Sequence, residues 1–524
     1  MVGTPPAQTS RSTPLASVSV APVGAVLAAT LVAAALRFFR LGHQSLWIDE
    51  QFTLVAAGVP GRLAWRELLE NVHGPLHTLA VALAASIGGT SEAMLRAPSA
   101  VAGVALVPVM AWLAARFVDR ESAPAAAWLT AASPFLVWYS QECRNYAFVI
   151  LGAATATGLL LELHRRCSGP GVARYLVAVV AGALSNLSFA LLAPLHLWLW
   201  LSPGPTRRAR LASAAVVATL VLLVALPWLP AISGIWDWSR LLPGRDAVVG
   251  EPPLRGATTA HPAAIPFALH AMLMGYTGGP SLRELRGDPV AALAAHLPEV
   301  MAAAVVFGVL LVLGLRALAR RGRLAVTLLW LVAPALVVGY FAAHNFKVFH
   351  PRYVAVSAPC ALLVVAAAFT DLGPRARRVA ALAVGLLWAM ALGRMAFDPA
   401  FGREDYRGAL ARVRAGLAPG ERVLAVGAPE PVEWYGRGLE VSRWWLGFSA
   451  DPGRMASTLG DSLRVAPGTW VVSSRAEDLD PDGRLARWLD ARVPLGERWS
   501  GNGVTVWHWR RDEAPPTGGV TGQR

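Results

Sequence analysis

The sequence predicts an α-helical polytopic membrane protein, with about eleven transmembrane helices and a small C-terminal extracytoplasmic α/β domain. Three observations carry this. Of the 524 residues 55% are hydrophobic and only 15% charged, with a mean hydropathy of +0.47. A soluble domain carries roughly 25% charged residues, so a water-soluble enzyme and a disordered chain are excluded. Apolar runs near the length of a bilayer crossing recur along most of the chain, with arginine clusters between them. From about residue 398 that pattern gives way to short strand-like and helix-like runs.

Residues 1–17 are mostly polar or small and read as a disordered cytoplasmic N-terminus. The apolar run from Val18 to Leu36 lacks a convincing cleavage site and reads as an uncleaved anchor. Spans are predicted at 18–37, 97–115, 123–141, 146–163, 174–191, 191–203, 211–230, 298–316, 324–343, 353–371 and 379–397. The transmembrane unit thus covers 18–397, with outer loops at about 40–96 and 231–297. Leu76–Ile87 and Ile265–Tyr276 are apolar but too short to cross, and are placed on the outer surface. No internal repeat is visible.

Loop charge sets the orientation. The 47 basic residues exceed the 33 acidic ones, giving +14, and Lys347 is the only lysine. Arg116/Arg120, Arg165/Arg166, Arg207/Arg208/Arg210, Arg316/Arg320/Arg321/Arg323 and Arg375/Arg377/Arg378 fall on one side of this scheme. That side is the cytoplasm by the positive-inside rule, so the N-terminus lies inside and the C-terminal domain outside, in the plasma membrane. Basic charge placed this way argues for a lipid bilayer as partner and against nucleic acid. Cys143, Cys167 and Cys360 are widely spaced and form neither a disulfide framework nor a metal motif.

The C-terminal domain, 398–510, has strand-like runs at Arg422–Gly427, Thr469–Ser473 and Val504–Trp509. Helical periodicity marks Tyr406–Leu417 and Gly483–Ala491. The tail, 511–524, is rich in Pro, Gly and Thr and reads as disordered.

Polar residues beside the outer membrane face carry the chemistry. Asp49 and Glu50 are adjacent carboxylates just after the first span. One ionised carboxylate raises the pKa of its neighbour, toward what a general base needs; a helix N-terminus, where acids complement the dipole, is the competing reading. His73 and His77 open the apolar segment at 76–87 and suit substrate binding. A divalent metal stays open but is not indicated, because no third ligand is spaced to complete a site. Arg96 opens the second span, and Gln141, Glu142, Arg144 and Tyr146 follow the third. Charged residues between spans are costly in lipid and mark protein-facing or water-filled sites, or else a structural salt bridge. His344 to Tyr353, with Lys347 and Arg352, is the one cationic cluster between spans on the outer side. It suits a phosphate or pyrophosphate, or an interfacial lipid anchor.

Together these elements fit a lipid-linked sugar phosphate. Its tail stays in the bilayer and its phosphate at the interface; a carboxylate takes the proton of an incoming hydroxyl, and a single displacement inverts the anomeric centre.

The constellation resembles the C-type membrane glycosyltransferases (GT-C), in the family-39-like branch of protein O-mannosyltransferases and aminoarabinose transferases. Ser45-Leu-Trp-Ile-Asp49-Glu50 is similar to the acidic motif of that family's first outer loop. His73-Gly-Pro-Leu-His77 is similar to its His-Pro-Pro-Leu-Tyr, with Gly74 in place of a proline and His77 in place of an aromatic. Arg96-Ala-Pro-Ser-Ala and Tyr139-Ser-Gln-Glu-Cys-Arg-Asn-Tyr146 match two further motifs. His350-Pro-Arg352-Tyr353 and Arg403-Glu-Asp-Tyr-Arg407 are looser matches. The resemblance covers roughly 40–410, in order. It implies a polyprenyl-phosphate-linked sugar donor, inverting transfer outside the cytoplasm, and a cell-envelope glycan, lipid or protein as acceptor. By the same resemblance Asp49 is the base and Glu50 supports it. Arg144, Lys347 and Arg352 hold the donor phosphate, and His73, His77, Arg96, Glu142, Tyr146 and Tyr353 bind substrate.

A transporter or flippase for lipid-linked saccharides is the alternative. It explains the spans and buried polar residues, but neither the long first outer loop nor a folded external domain, and transporters commonly show repeated halves. A non-catalytic scaffold that binds a partner through its external domain is the third reading.

Overall fold

A computed structural model describes residues 20–63, 65–71, 74–235, 237–241, 260–444, 459–476, 480, 483–493 and 497–510. The segments expected to be disordered, 1–17 and 511–524, lie outside them, as does His73.

Among the described residues, seven of the eleven predicted spans are helical stretches long and apolar enough to cross a membrane. They are α5 (Glu92–Phe117), α8 (Tyr146–Arg165), α11 (Arg207–Ala225, continued to Gly234), α16 (Leu297–Arg320), α17 (Leu324–Ala343), α18 (Ala358–Asp371, entered through a 3-10 turn at Pro351–Ser357) and α19 (Pro374–Phe397). The chain is a membrane protein on this helix content. Side chains such as Leu222, Leu223, Leu382 and Leu386 stand exposed on the outer helices, where hydrocarbon would cover them. At the core, Ala358–Ala368 of α18 is wholly buried. Gly314 of α16 is what lets it enter: a Cβ there would meet the Val364 carbonyl oxygen at 1.9 Å.

Of the other four, the first is one continuous helix of 19 residues and three are interrupted or shorter. α1 is Val20–Phe38. The third predicted span is two helices, α6 (Ser122–Ala132) and α7 (Pro134–Ser140). Pro134 has no N–H to give the preceding turn and clashes with it, so the helix breaks. Arg37, at the end of α1, fills the vacancy: its guanidinium donates to the Thr130 carbonyl at 3.0 Å and the Ala131 carbonyl at 2.9 Å. Gln141 in turn donates to the carbonyls of Leu36, Arg37 and Phe39, the orphan acceptors at the C-terminus of α1. Two helix ends thus satisfy each other beneath the site.

The fifth and sixth predicted spans are α9 (Gly169–Ala183), then a 3-10 turn at Leu187–Leu192 and α10 (Ala193–Leu201). The Leu184 carbonyl accepts from the Leu76 N–H at 3.0 Å. The first loop therefore docks where α9 ends. Gly74 permits the approach, since a Cβ there would sit 2.3 Å from the Leu184 oxygen and 2.4 Å from its Cα. Gly74→Ala should cost about 1–3 kcal/mol by overpacking, read as a lower midpoint of thermal unfolding in detergent.

Two short helices, α4 (Leu76–Gly88) and α13 (Ala264–Met274), match the apolar segments judged too short to cross. At the far end of the bundle the arginine clusters converge. Arg165 donates to the Arg116 carbonyl at 2.9 Å, and Arg321 pairs with Asp119 at 2.7 Å and Asp371 at 3.2 Å.

The C-terminal domain is a five-stranded sheet of order β2-β1-β3-β5-β4. Its strands are β1 (Arg422–Val426), β2 (Val441–Trp444), β3 (Gly468–Ser474), β4 (Arg498–Gly501) and β5 (Val504–Arg510). β1 runs parallel to β2 and β3, while β5 is antiparallel to β3 and β4. Both faces of β1 are covered. Val423 and Ala425 pack with Tyr406 and Leu410 of α20 (Tyr406–Gly416), and Leu424 and Val426 with Leu485 and Leu489 of α22 (Arg484–Asp490). A further helix of the domain, α21 (Pro429–Tyr435), follows β1.

Candidate active site

The site is built around α2 (Ile48–Ala56), whose first turn holds Asp49 and Glu50. The helix-terminus reading of the acidic pair is therefore correct as to place. Successive residues on a helix point about 100° apart, and here that sends the two carboxylates to different surroundings.

Glu50 points inward and is 0% exposed. Arg96 grips it in a fork, Nε to Oε1 and Nη2 to Oε2, both at 2.8 Å. The Cys143 N–H donates to Oε1 at 2.7 Å, and Arg403 approaches the same oxygen at 3.2 Å. Burial alone would raise the Glu50 pKa, but Arg96 and Arg403 bring it down to about 2. Arg96 also donates to the carbonyls of Leu41, Gln44 and Ser45 at 2.9–3.0 Å. The pair is the knot that ties the first loop, α5 and the α7–α8 connection together.

Asp49 points into a cleft of about 1010 Å³, its open mouth included. Its carboxylate forms an ion pair with Arg352. Arg144 donates to the Asp49 carbonyl at 2.9 Å and the Thr53 hydroxyl at 3.1 Å. Burial pushes the Asp49 carboxyl up, but Arg352 and Arg144 outweigh it and hold the group below the usual carboxylate range. The expectation that one carboxylate would raise its neighbour's pKa is thus corrected: the arginines dominate.

The remaining predicted residues that are described lie around Asp49 or behind it; His73 is outside the described residues. Arg352 donates to the Tyr353 hydroxyl at 3.2 Å, and the Lys347 ammonium lies 4.4 Å from the Tyr353 ring centroid. Burial lowers the Lys347 pKa, with Tyr353 acting the other way. Tyr146 packs on Tyr139, centroids 4.9 Å apart, and Tyr139 hydrogen-bonds Tyr276 at 2.6 Å. Glu142 lines the cleft and accepts from the Trp138 indole and from Arg403, both at 2.9 Å. Burial pushes its pKa up, Arg403 working against this. His77 is buried behind the cleft and meets the Ser99 hydroxyl at 3.0 Å; Ser99 donates to the Arg144 carbonyl at 3.0 Å. Burial lowers the His77 pKa to about 3, so it is neutral. The Nε atoms of Arg144 and Arg352 are buried without a hydrogen-bond partner among the described residues. Among the described residues, no group of three or more His, Cys, Asp and Glu is placed to hold a metal.

Four arginines of the cleft fall outside the expected site set. Arg403 bridges Glu50 and Glu142, with its guanidinium 5.7 Å and 5.4 Å from the Trp47 and Trp138 ring centroids. Its signal was the Arg403–Arg407 motif, which also clamps the domain to the first loop: the Arg407 N–H donates to Ser45 Oγ at 3.1 Å and its guanidinium to Glu92 at 3.0 Å. Arg283, Arg286 and Arg475 also line the cleft and had no sequence signal.

No family model matches the chain, and no curated protein matches it in sequence. Solved structures do. ArnT from Cupriavidus metallidurans in the apo state superposes with a TM-score of 0.57 at 14% identity, over 96% of this chain and 100% of that one. The same protein bound to undecaprenyl phosphate gives 0.54 at 15% identity, over 95% and 100%. The apo oligosaccharyltransferase of Archaeoglobus fulgidus gives 0.55 at 14% identity, over 90% and 71%. The chain has the fold of the GT-C membrane enzymes.

Proposed function

We propose that the protein is an inverting membrane glycosyltransferase. It takes a sugar from a polyprenyl-phosphate carrier and attaches it to a hydroxyl-bearing cell-envelope glycan, lipid or protein. It sits in the plasma membrane with its N-terminus in the cytoplasm and the cleft and C-terminal domain outside. The observation that carries this reading is the Asp49 carboxylate in an open cleft, flanked by Arg352 and Arg144. That two neighbours of this fold are described with undecaprenyl phosphate or dolichol phosphate supports a lipid phosphate donor.

The chemistry balances on these groups. The acceptor oxygen attacks the anomeric carbon while the bond from that carbon to the phosphate oxygen breaks. The phosphate leaves with the electron pair, held by Arg144, Lys347 and Arg352, and Asp49 takes the acceptor proton. The buried Nε atoms of Arg144 and Arg352, without a hydrogen-bond partner among the described residues, are donors suited to phosphate oxygens. As the phosphate engages Arg352, Asp49 loses the partner that depresses its basicity, so the base strengthens when the donor is in place. Glu50 and Arg96 hold the loop, and His77 positions Arg144 through Ser99; Glu142, Tyr146 and Tyr353 line the sugar's place.

The test is a transfer assay on purified protein in nanodiscs, with radiolabelled polyprenyl-phosphate sugars and host membrane extract. Label should pass from one donor to a new product. Movement of donor across liposomes without any transfer would favour a flippase and sink this reading. Arg352→Ala should raise KM for the donor by about tenfold or more, since a charge-assisted hydrogen bond contributes roughly 1.5–3 kcal/mol. The acid limb of kcat/KM, where activity falls as Asp49 protonates, should also move to higher pH, because the cation that lowers its pKa is gone.

A further inference from the structure

A second cavity, of about 630 Å³ with its open mouth included, lies beside the Asp49 cleft. It is set where α1 and α19 end, against α7. The wall formed by the spans is apolar: Leu36 of α1, Val137 of α7, and Leu392, Met395 and Ala396 of α19. The wall formed by the turn after α1 is polar and holds Arg40, His43 and Gln44. Among the described residues that line the cavity there is no carboxylate. Arg96 and Arg403 also reach it, but Glu50 and Glu142 neutralise them. Arg40 differs. Its guanidinium donates to His43 Nε2 and lies 5.4 Å from the Phe397 ring centroid, and neither partner is an anion. Burial and the charges of Arg40 and Arg407 lower the His43 pKa, which leaves the ring a neutral acceptor.

The polar wall is held in place. Arg96 donates to the carbonyls of Leu41, Gln44 and Ser45, and Arg407 to those of Gly42 and His43, so each carbonyl from 41 to 45 is engaged by a guanidinium. Arg40 itself sits at φ 55°, a left-handed conformation that persists only where its surroundings hold it. The Gln44 side-chain oxygen accepts from the Arg403 N–H at 3.2 Å, which leaves its amide N–H groups as donors. Phe39 and Phe397, 51% and 67% exposed with centroids 6.0 Å apart, stand at the ends of α1 and α19 where aromatic rings mark the membrane interface. Trp138 and Arg403 line both this cavity and the Asp49 cleft, so the two are separated there by the thickness of a side chain. Both side chains donate to Glu142. The donor cations Arg144, Lys347 and Arg352 are not in the lining, so this is a different approach to the same cleft.

We propose that this cavity seats a lipid acceptor whose headgroup carries a phosphate. An apolar wall continuous with the spans takes an acyl chain, and a cation without an acidic partner at the interface takes an anion; one molecule that offers both is a phospholipid. Its chain lies between α1 and α19, its phosphate on Arg40 and Gln44, and its hydroxyl passes Trp138 and Arg403 to reach Asp49. The transfer step is the one described above, with the attacking oxygen on the lipid headgroup. The proposal rests on the glycosyltransfer reading for the role of the lipid as acceptor, but not for the existence of the lipid-phosphate site. It selects a lipid over a soluble glycan or a protein, because neither of those would need a cavity walled by membrane spans.

The first test is binding, which needs no turnover. Purified full-length protein in detergent is saturated with undecaprenyl phosphate, to occupy the donor cations, and native mass spectrometry counts the dioctanoyl phosphatidic acid bound to it. Dioctanoylglycerol supplies the same chains without the phosphate, and glycerol 1-phosphate the phosphate without the chains. Phosphatidic acid should bind saturably, and both controls should be weaker by about tenfold or more. Arg40→Ala should weaken phosphatidic acid by about tenfold or more, with partial recovery in Arg40→Lys. Leu392→Trp, which fills the space between α1 and α19 and leaves Arg40 in place, should weaken it as well. Thermal unfolding of each variant in detergent guards against misfolding. In the transfer assay the labelled product should partition into organic solvent, and Leu392→Trp should slow its formation while undecaprenyl phosphate binds as in wild type. Phosphatidic acid bound no better than its controls, wild-type affinity in folded Arg40→Ala and Leu392→Trp, or labelled product confined to the water-soluble or protein fraction would overturn the proposal. A protein that binds phosphatidic acid through Arg40 but transfers no sugar keeps the lipid site and loses the glycosyltransfer reading. One that transfers sugar while both variants bind the lipid normally does the reverse.

Discussion

Asp49→Asn should lower kcat by about 10²- to 10⁴-fold, the range that a positioned general base supplies, while donor binding is retained or tightened. The substitution keeps the size of the side chain and its place in the first turn of α2, but removes the proton acceptor. It also releases Arg352, which pairs with the carboxylate in the donor-free site. An anion entering the cleft no longer competes with Asp49 for that guanidinium, so undecaprenyl phosphate should bind the variant at least as tightly as wild type. The split is diagnostic. A residue that merely held the cleft in shape would lose binding and turnover together; a base loses turnover alone. Single-turnover transfer of radiolabel, beside a binding titration on the same preparation, reads both. Undiminished turnover in Asp49→Asn would remove it as base and point to Glu142, a carboxylate of the cleft whose pKa burial pushes up.

Most of the membrane architecture was legible because hydrocarbon imposes a length. Twenty or so apolar residues announce a crossing whatever their neighbours are, and the seven long helices coincide with predicted spans. The breaks were less legible. The span at 123–141 was read as one helix in spite of Pro134, and the rule that a broken helix is tolerated where its freed carbonyls find donors requires knowing that Arg37 lies across from Thr130 and Ala131. The pause after Ala183 has no proline at all; it depends on Leu76, over a hundred residues earlier, reaching the Leu184 carbonyl. In the C-terminal domain β1, β3 and β5 were readable as apolar or alternating runs. The edge strands β2 and β4 were not: Val-Ser-Arg-Trp and Arg-Trp-Ser-Gly are short and polar, as edges must be to discourage pairing with another chain.

The site divides in the same way. Asp49, Arg96, Glu142 and Arg144 stood out because charge beside a membrane span is costly and demands a reason. Arg283, Arg286 and Arg475 lie in soluble segments, where an arginine costs nothing and signals nothing. Only the sheet, by bringing the end of β3 to the cleft, places Arg475 in its lining. Glu50 shows the converse limit. Sequence reading could pair it with Asp49 by adjacency, but the helical turn between them separates a carboxylate that faces the cleft from one buried in the fold.

That separation yields the second large effect. Glu50→Gln should destabilise the protein by about 3–5 kcal/mol, the cost of leaving a buried charge without its counter-ion. Arg96 is 1% exposed, so its guanidinium stays buried. Once Glu50 is neutral, one donor of the fork meets an amide that can no longer accept at both atoms, and Arg403 loses the anion it approaches at 3.2 Å. Because the knot joins the first loop to α5, the α7–α8 connection and the start of the C-terminal domain, activity should be lost with stability. Replacing both partners by apolar residues of similar shape, Glu50→Leu with Arg96→Met, should cost less than either single change, since no charge is then left stranded. The carbonyls of Leu41, Gln44 and Ser45 that Arg96 satisfies set the remaining penalty. The pH dependence has a definite sign. The folded-state pKa of Glu50, about 2, lies below its ordinary value of 4.5. Its contribution is therefore complete above about pH 4.5 and is lost as the pH falls toward 2. Thermal unfolding in detergent across that window should show a downward slope in wild type that is smaller in Glu50→Gln. A single mutant as stable as wild type, or a double mutant worse than the sum of its parts, would show that the pair is not the knot described here.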